Sequence, residues 1–430
     1  MSARRRVVVT GLGTVNSVGT SVPEFWRRSV AGHSGVRRVT EFAIPDDMSQ
    51  IAGVVADDWA GGEPLSVSLD ADPGTVDRSL RFALSATEEA IADAGLHAAG
   101  IAALPPGRAA VAVSTAISHI TRMEAEFRRG SKEGKQALAV DGARVADDNS
   151  FLFNTTNARL AATLGIRADY ATVTTGCTGG VDSIGYAMQL IRHENVDLVI
   201  AGATEAPITP LVVAAFSKIG ATSMRNAEPT RASRPFDVDR DGFVLAEGAG
   251  VLVLESLDAA LARGARVYAE VLGYGSVNSC FHMTSMPDSG IPIAQACSLA
   301  VTDAGVSTMD IDFVNAHGSS TPQNDRAETG AFRLLLGGRA TEVPVTSIKS
   351  QTGHSLAAAN AIELVSSVLS IRDGIIPPTI NLDRQDEECG LDVVAGTARR
   401  TPVSCVLKTS SGFSGIHSSL VLGRYLEVPA

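Results

Sequence analysis

Gly11-Leu12-Gly13-Thr14-Val15-Asn16-Ser17 returns in the second half of the chain as Gly273-Tyr274-Gly275-Ser276-Val277-Asn278-Ser279. Each copy follows a Val-containing, strand-like run, so the chain reads as a duplication. Further echoes support this. Ala90-Ile91-Ala92-Asp93-Ala94-Gly95-Leu96 is matched by Ala300-Val301-Thr302-Asp303-Ala304-Gly305-Val306, both closing an apolar-periodic helix with Gly at its C-cap. Thr175-Gly176-Cys177-Thr178 is matched by Thr352-Gly353-His354-Ser355, and helical patterns follow over Val181 to Arg192 and Ala357 to Arg372. Short β-rich runs (Ala109 to Val113, Leu198 to Ala201, Gly250 to Leu254, Phe313 to Ala316, Ser419 to Leu422) alternate with helical patterns. The expected class is therefore α/β, with two similar halves. The division is placed in the helix-like segment Leu257 to Ala265, giving halves 1–260 and 261–430. Met123 to Asn149 is polar and charged, and reads as an irregular insertion covering a site or an interface.

The 430 residues are 45% hydrophobic, enough for a large core. A formal charge of −11 offers no global attraction to nucleic acid or an anionic membrane. Five scattered cysteines without a CxxC pair suggest neither a disulfide framework nor a zinc site, and fit reduced thiols in the cytoplasm. The apolar run after Arg4-Arg5-Arg6 is cut short by Thr10-Gly11, and no stretch reaches transmembrane length.

Cys177 lies where a β-branched run, Ala171 to Thr175, enters a Gly-flanked turn and then a helix. A lone cysteine is more often a buried structural residue. Here the helix N-terminus is expected to lower the thiol pKa and make the sulfur a nucleophile that iodoacetamide modifies quickly and selectively. His317 ends the apolar run Phe313 to Ala316, before the hydroxyl-rich Gly318-Ser319-Ser320-Thr321. Ligands bind at such strand ends in open α/β sheets. His354 stands at the position that the internal echo makes equivalent to Cys177, so the two are expected to converge on one pocket. Lys349 could be a surface charge or could tune the histidines. Two tempting motifs fail. Asp237-x-Asp239-x-Asp241-Gly242 begins like a calcium loop, but its closing carboxylate, Glu247, comes one residue early. Gly11-x-Gly13 lacks the third glycine of a dinucleotide fingerprint. No metal site is expected.

Thr175-Gly-Cys-Thr-Gly-Gly, Asn315-Ala-His-Gly-Ser-Ser-Thr, Ser347-Ile-Lys-Ser-Gln-Thr-Gly-His-Ser and Gly412-Phe413 together resemble the β-ketoacyl synthases of the elongating class. The resemblance covers nearly the whole chain and implies a thiolase-like fold. In that fold two halves stack as five αβαβα layers, with two sheets between outer and central helices, and the molecule is a dimer. Ile200-Ala-Gly-Ala-Thr-Glu-Ala-Pro-Ile-Thr-Pro, Phe281-His-Met-Thr and Gln323-Asn-Asp-Arg are most similar to the ketosynthase alpha subunit of type II polyketide synthases. Such subunits pair with a cysteine-less chain-length factor.

The resemblance implies that Cys177 carries the acyl thioester, and that the backbone N–H groups of Cys177 and Phe413 form the oxyanion hole. It implies a gating role for Phe413. His317 and His354 would stabilise the enolate formed as malonyl thioester loses carbon dioxide, with Lys349 and Glu328 as the charged pair setting their protonation. Ser319 and Thr321 would bind the phosphopantetheine arm of a separate acyl carrier protein, and no cofactor is implied. Neutral donors aimed at the thioester oxygen suffice for that chemistry. Arg78, Arg81, Lys218 and Arg225 are candidates for the carrier's docking patch. Ser414 replaces the Gly usual after the gating Phe, and Gln351-Thr352 and Ala357-Ala358-Ala359-Asn360 also depart from the family pattern. Both an aromatic and a reduced, polyene-type product are compatible with these departures. Rival readings are a fatty-acid elongation synthase, a non-catalytic chain-length-factor-like subunit, and a cysteine hydrolase. Retention of Cys177 opposes the second, and a hydrolase leaves one histidine unexplained.

Overall fold

A computed structural model of the chain describes residues 4–56, 59, 76–139, 152–167, 170–193 and 196–426. Among them, one ten-stranded sheet contains β1 (Val7–Asn16), β2 (Ala109–Ser114), β3 (Leu198–Glu205), β4 (Gly248–Ser256), β5 (Ala269–Asn278), β6 (Phe313–Asn315), β7 (Pro344–Thr346), β8 (Asp392–Val393), β9 (Cys405–Ser411) and β10 (Ile416–Gly423). The spatial order is β8-β7-β6-β9-β10-β5-β1-β4-β3-β2. The duplication is visible outward from the β1–β5 junction. β1-β4-β3-β2 pair antiparallel, antiparallel, parallel. β5-β10-β9-β6 repeat that series, and β7 and β8 extend it in parallel. The expected two sheets are joined into one ladder, because Val8 and Val9 of β1 pair with Glu270 and Ala269 of β5.

The repeated Gly-x-Gly motifs have a packing origin. α1 (Arg78–Asp93) lies on β1 and β4, and α3 (Ile291–Ala304) lies on β5 and β10. A Cβ at Gly13 would sit 1.8 Å from the Ala86 carbonyl oxygen, and one at Gly11 would sit 2.1 Å from that of Ala90. At Gly273 and Gly275 the corresponding clashes are with Ala300 and Ala296, at 2.3 and 2.6 Å. The Gly repeat and the Ala-rich helix repeat are thus two sides of the same helix-on-strand contact. Between the two half-sheets run α2 (Gly179–His193) and α5 (Leu356–Asp373), which pack on each other and on strands of both halves. Every residue from Leu356 to Ile371 is buried, as a central helix requires. α4 (Pro322–Leu336) packs beside α3 on the outside, completing five layers.

The segment from Met123 differs from expectation. It begins inside a helix, Ile120–Gly130, anchored where buried Glu124 accepts from the Leu211 N–H at 3.2 Å; residues 140–149 lie outside the described residues. Its charged exposed face hid the helical period. No described helix is long and apolar enough to cross a membrane.

Gly13→Ala must displace the α1 backbone, and it is expected to lower unfolding stability by about 1–3 kcal/mol in urea titration. Gly338→Ala meets nothing within 4 Å and should stay within about 0.5 kcal/mol of the parent. Equal stability of the two variants would refute the helix-on-strand explanation.

Candidate active site

Cys177 sits in the 3-10 turn Gly176–Thr178 that leads into α2. Gly176 takes φ +60 with open space around it, which only glycine adopts freely. The turn is cemented by Asp182, which accepts from Thr178 Oγ1 at 2.6 Å, from Tyr274 OH at 2.8 Å and from Thr175. His354 follows the short helix Lys349–Thr352 and Gly353, and its N–H donates to the Val244 carbonyl at 2.7 Å. His317 follows β6, where its N–H and that of Gly318 donate to the two carboxylate oxygens of Glu328 at 2.6 and 2.8 Å.

These three side chains, distant in sequence, line one cavity of about 320 Å³ together with Phe216, Phe243, Leu356 and Phe413. The imidazole centroids of His317 and His354 are 5.2 Å apart, nearly perpendicular, and the His354 ring packs edge-on against Phe243 at 5.3 Å. Burial holds both histidines well below the usual 6.5, and the Lys349 ammonium adds to the effect. Both rings are therefore neutral at pH 7. Ser319 and Thr321 line the same cavity and share a 2.8 Å hydrogen bond.

The thiol differs from the sequence expectation. Enclosure by Phe216, Phe243 and Leu356 pushes Cys177 up to about 12. Lys349 and the backbone N–H groups of Phe413 and Cys177 itself pull in the opposite direction without overcoming desolvation. The helix N-terminus is present, but its effect is smaller than the loss of water. Those two N–H groups are close enough to the sulfur to favour its charged form.

The charged pair expected between Lys349 and Glu328 is not formed. Lys349 Nζ donates to Glu363 Oε1 at 2.5 Å and to the His317 carbonyl at 2.7 Å, while Glu328 holds the His317 and Gly318 amides and the Thr409 hydroxyl. Sequence reading missed Glu363 and a second buried cation, Lys408, whose Nζ is 2.7 Å from Glu363 Oε2. Glu363 is the single charge between Ala357 and Ile371, and Lys408 directly follows the apolar run Cys405 to Leu407; that isolation was the available signal. The Cys177 carbonyl is held from the other half by Asn360 Nδ2 and by Ser410 Oγ at 3.2 Å. The departure at Asn360 thus supports the Cys177 turn. Gln351 instead ties its amide to the Pro378 carbonyl at 2.7 Å.

Of the docking candidates, Lys218 directly precedes Ile219, Gly220 and Ala221, which line the cavity, and pairs with Asp47 at 2.8 Å, while Arg225 donates to the Asp239 carbonyl at 2.7 Å. Arg78 and Arg81 do not line the cavity: Arg78 grips Glu247 at 2.6 Å and Arg81 covers the Trp59 ring at 5.2 Å. They were chosen on charge alone, which cannot see that they sit at the start of α1.

A thiol with this pKa is almost wholly protonated at pH 7. Iodoacetamide labelling read by peptide mass spectrometry should modify exposed Cys280 before Cys177, and the Cys177 rate should climb about tenfold per pH unit from roughly pH 7 to 10. A Cys177 rate that has already levelled off by about pH 8 would mean that the helix terminus prevails over burial.

Residues 4–260 match the family described as "Beta-ketoacyl synthase, N-terminal domain", and residues 268–383 match "Beta-ketoacyl synthase, C-terminal domain". The tetracenomycin polyketide synthase ketoacyl synthase alpha subunit of Streptomyces glaucescens is 42% identical over 426 residues, covering 99% of this chain and 98% of its own. A solved type II PKS acyl-carrier protein in complex with its ketosynthase bound to the hexaketide (AntDE:AntF) superposes with TM-score 0.90 at 39% identity, covering 99% of this chain and all of that one. The ishigamide ketosynthase/chain length factor superposes with TM-score 0.87 at 35% identity, covering 99% and 100%. With both family domains in order along the chain and a cysteine and two neutral histidines gathered in one cavity, this protein belongs to the β-ketoacyl synthase family.

Proposed function

We propose that this chain is the ketosynthase alpha subunit of a type II polyketide synthase, joining a Cys177-bound acyl chain to a malonyl unit with loss of carbon dioxide. The observation that carries the reading is the pair of uncharged imidazoles, 5.2 Å apart, in the cavity that also contains Cys177. In the first half-reaction the Cys177 thiol exchanges with the acyl thioester of a carrier. The acyl group moves to Cys177 sulfur and the proton to the departing pantetheine thiol. The N–H groups of Cys177 and Phe413 receive the charge that builds on the carbonyl oxygen.

In the second, the malonyl thioester carbonyl rests on His317 and His354. Breaking the bond to the carboxylate releases carbon dioxide and leaves an enolate whose oxygen these neutral donors stabilise, with no metal or redox cofactor required. The enolate carbon attacks the acyl-Cys177 carbonyl, and the β-ketoacyl product stays on the carrier while Cys177 takes up a proton. Ser319 and Thr321, paired near the mouth, hold the phosphopantetheine arm. The partners are an acyl carrier protein and a chain-length factor, and the compartment is the cytoplasm. Support for the partners comes from the two solved relatives, one a carrier-protein complex and one a ketosynthase/chain length factor. The five free cysteines fit a reducing compartment. The fatty-acid reading uses the same site, and it is the less supported because the tetracenomycin alpha subunit is 42% identical whereas the 3-oxoacyl-[acyl-carrier-protein] synthase 2 of Coxiella burnetii is 36% identical.

His317→Ala and His354→Ala should each cut carbon dioxide release from malonyl-carrier by about 10²–10³-fold while Cys177 still acquires the acyl mass. Decarboxylation that survives both substitutions would refute the assignment. Co-expression with a chain-length factor should yield poly-β-ketoacyl carriers by mass spectrometry. Full elongation by the chain alone would move it to the fatty-acid class.

A further inference from the structure

The condensation chemistry leaves Lys408 without a task, although it is fully buried on β9 beside the strand that carries His317. Its Nζ donates to the carbonyls of Thr409 at 2.6 Å, Ala316 at 3.3 Å and Asn315 at 3.5 Å, and lies 2.7 Å from Glu363 Oε2. Lys349 takes the other oxygen of Glu363 and the next carbonyl, that of His317. Two ammonium groups therefore share one carboxylate and grip three consecutive carbonyls, residues 315 to 317. A buried Lys349–Glu363 pair would already be balanced. Adding a second lysine is costly unless another carboxylate answers it. Glu328, fully buried and bonded to the His317 and Gly318 amides, makes no direct ion pair with Lys408 but acts electrostatically in favour of its ammonium.

We infer that Lys408 is a positioning residue: it closes a neutral four-charge cluster with Lys349, Glu363 and Glu328 that keeps His317 and His354 uncharged and does not oppose the enolate. The part concerning the enolate rests on the proposed condensation, whereas the part concerning the imidazoles does not. The other groups facing this region are His417, opposite Ser411 on β10, Cys297 on α3, the Asp325–Arg240 pair beside α4, and Cys177. Both lysines act on both histidines in the same direction, against protonation. Removing Lys408 leaves a net −1 cluster. The imidazoles then gain protons at higher pH, and the neutral form is lost sooner as pH falls. Removing the charge of Glu363 leaves +1 and has the opposite sign.

Three proteins therefore form a charge ladder: Glu363→Gln, the parent, and Lys408→Met. Ring-¹⁵N NMR of the resting enzymes should show the His317 and His354 titrations rising in that order by about one pH unit per step. The acid limb of carbon dioxide release should move with them. Decarboxylation at pH 7 should fall further than Cys177 acylation in Lys408→Met. The double variant Lys408→Met/Glu363→Gln restores neutrality and should return both titrations toward the parent, which a merely structural role for Lys408 would not do. If Lys408→Met does not fold, the Glu363→Gln and double variants still test the sign. Histidine titrations that coincide across the ladder would overturn the inference. A clear ladder in a parent that releases no carbon dioxide would instead sink the proposed condensation and leave the role of Lys408 intact.

Discussion

The geometry of the site depends on how closely α2 approaches α5. A Cβ at Gly180 would lie 2.6 Å from the Ala361 nitrogen and 2.7 Å from the Ala357 oxygen, and one at Gly179 would lie 3.1 Å from the Ala357 side chain. Any larger residue at these positions would push the helices apart, and with them Cys177 and His354, which stand just ahead of their first turns. Asn360 spans the same crossing to reach the Cys177 carbonyl. Convergence of the Cys177 thiol and the His354 imidazole is therefore set by backbone contact in the core, before any polar interaction at the site operates.

Burial then decides the charge state of each group. The same removal of water raises the thiol to about 12 and drives both histidines down. The resting cavity thus holds a neutral sulfur and two neutral rings, with Lys349, Glu363, Lys408 and Glu328 clustered behind it. This arrangement suits a reaction whose charge appears only during turnover. Donors already in place around an apolar space need no reorganisation when the enolate forms. The orphaned Nδ1 atoms of both histidines are a cost tolerated in such a site.

The duplication was legible because packing produced it: Gly11, Gly13, Gly273 and Gly275 mark where helix backbones rest on strands, and steric need of that kind leaves a residue-type signature. Cys177, His317 and His354 were legible because each follows a strand or turn with glycine beside it. The partner of Lys349 was not. Glu328 and Glu363 are both acids on helices of the second half, and only the fold determines that one faces an ammonium and the other two amides. Lys408 was hidden because it stands where the apolar start of its strand gives way to Thr409-Ser410-Ser411, a pattern that reads as a charge at a solvated strand end. The sign of the thiol shift was misjudged because a helix terminus is visible in sequence, whereas the aromatic enclosure comes from Phe216 and Phe243, remote in the chain.

The turn after Phe413 shows how a departure from pattern can carry mechanical meaning. Ser414 adopts φ +66, a conformation that costs a non-glycine residue about 1–2 kcal/mol, immediately after Phe413, a residue 38% exposed whose ring is 6.4 Å from that of Phe216. The strained turn is held from outside the loop: Ser414 N–H donates to the Met283 carbonyl at 2.7 Å, and Asn278 Nδ2 donates to the Ser414 carbonyl at 3.1 Å. Met283 precedes Thr284, Ser285 and Met286, which line the cavity. Rotation of Phe413 through a backbone change at Ser414 would therefore break bonds to the segment that forms the opposite rim. Phe413 and that segment are coupled through Ser414, and the serine that glycine would make easy to turn sets a preferred position for both.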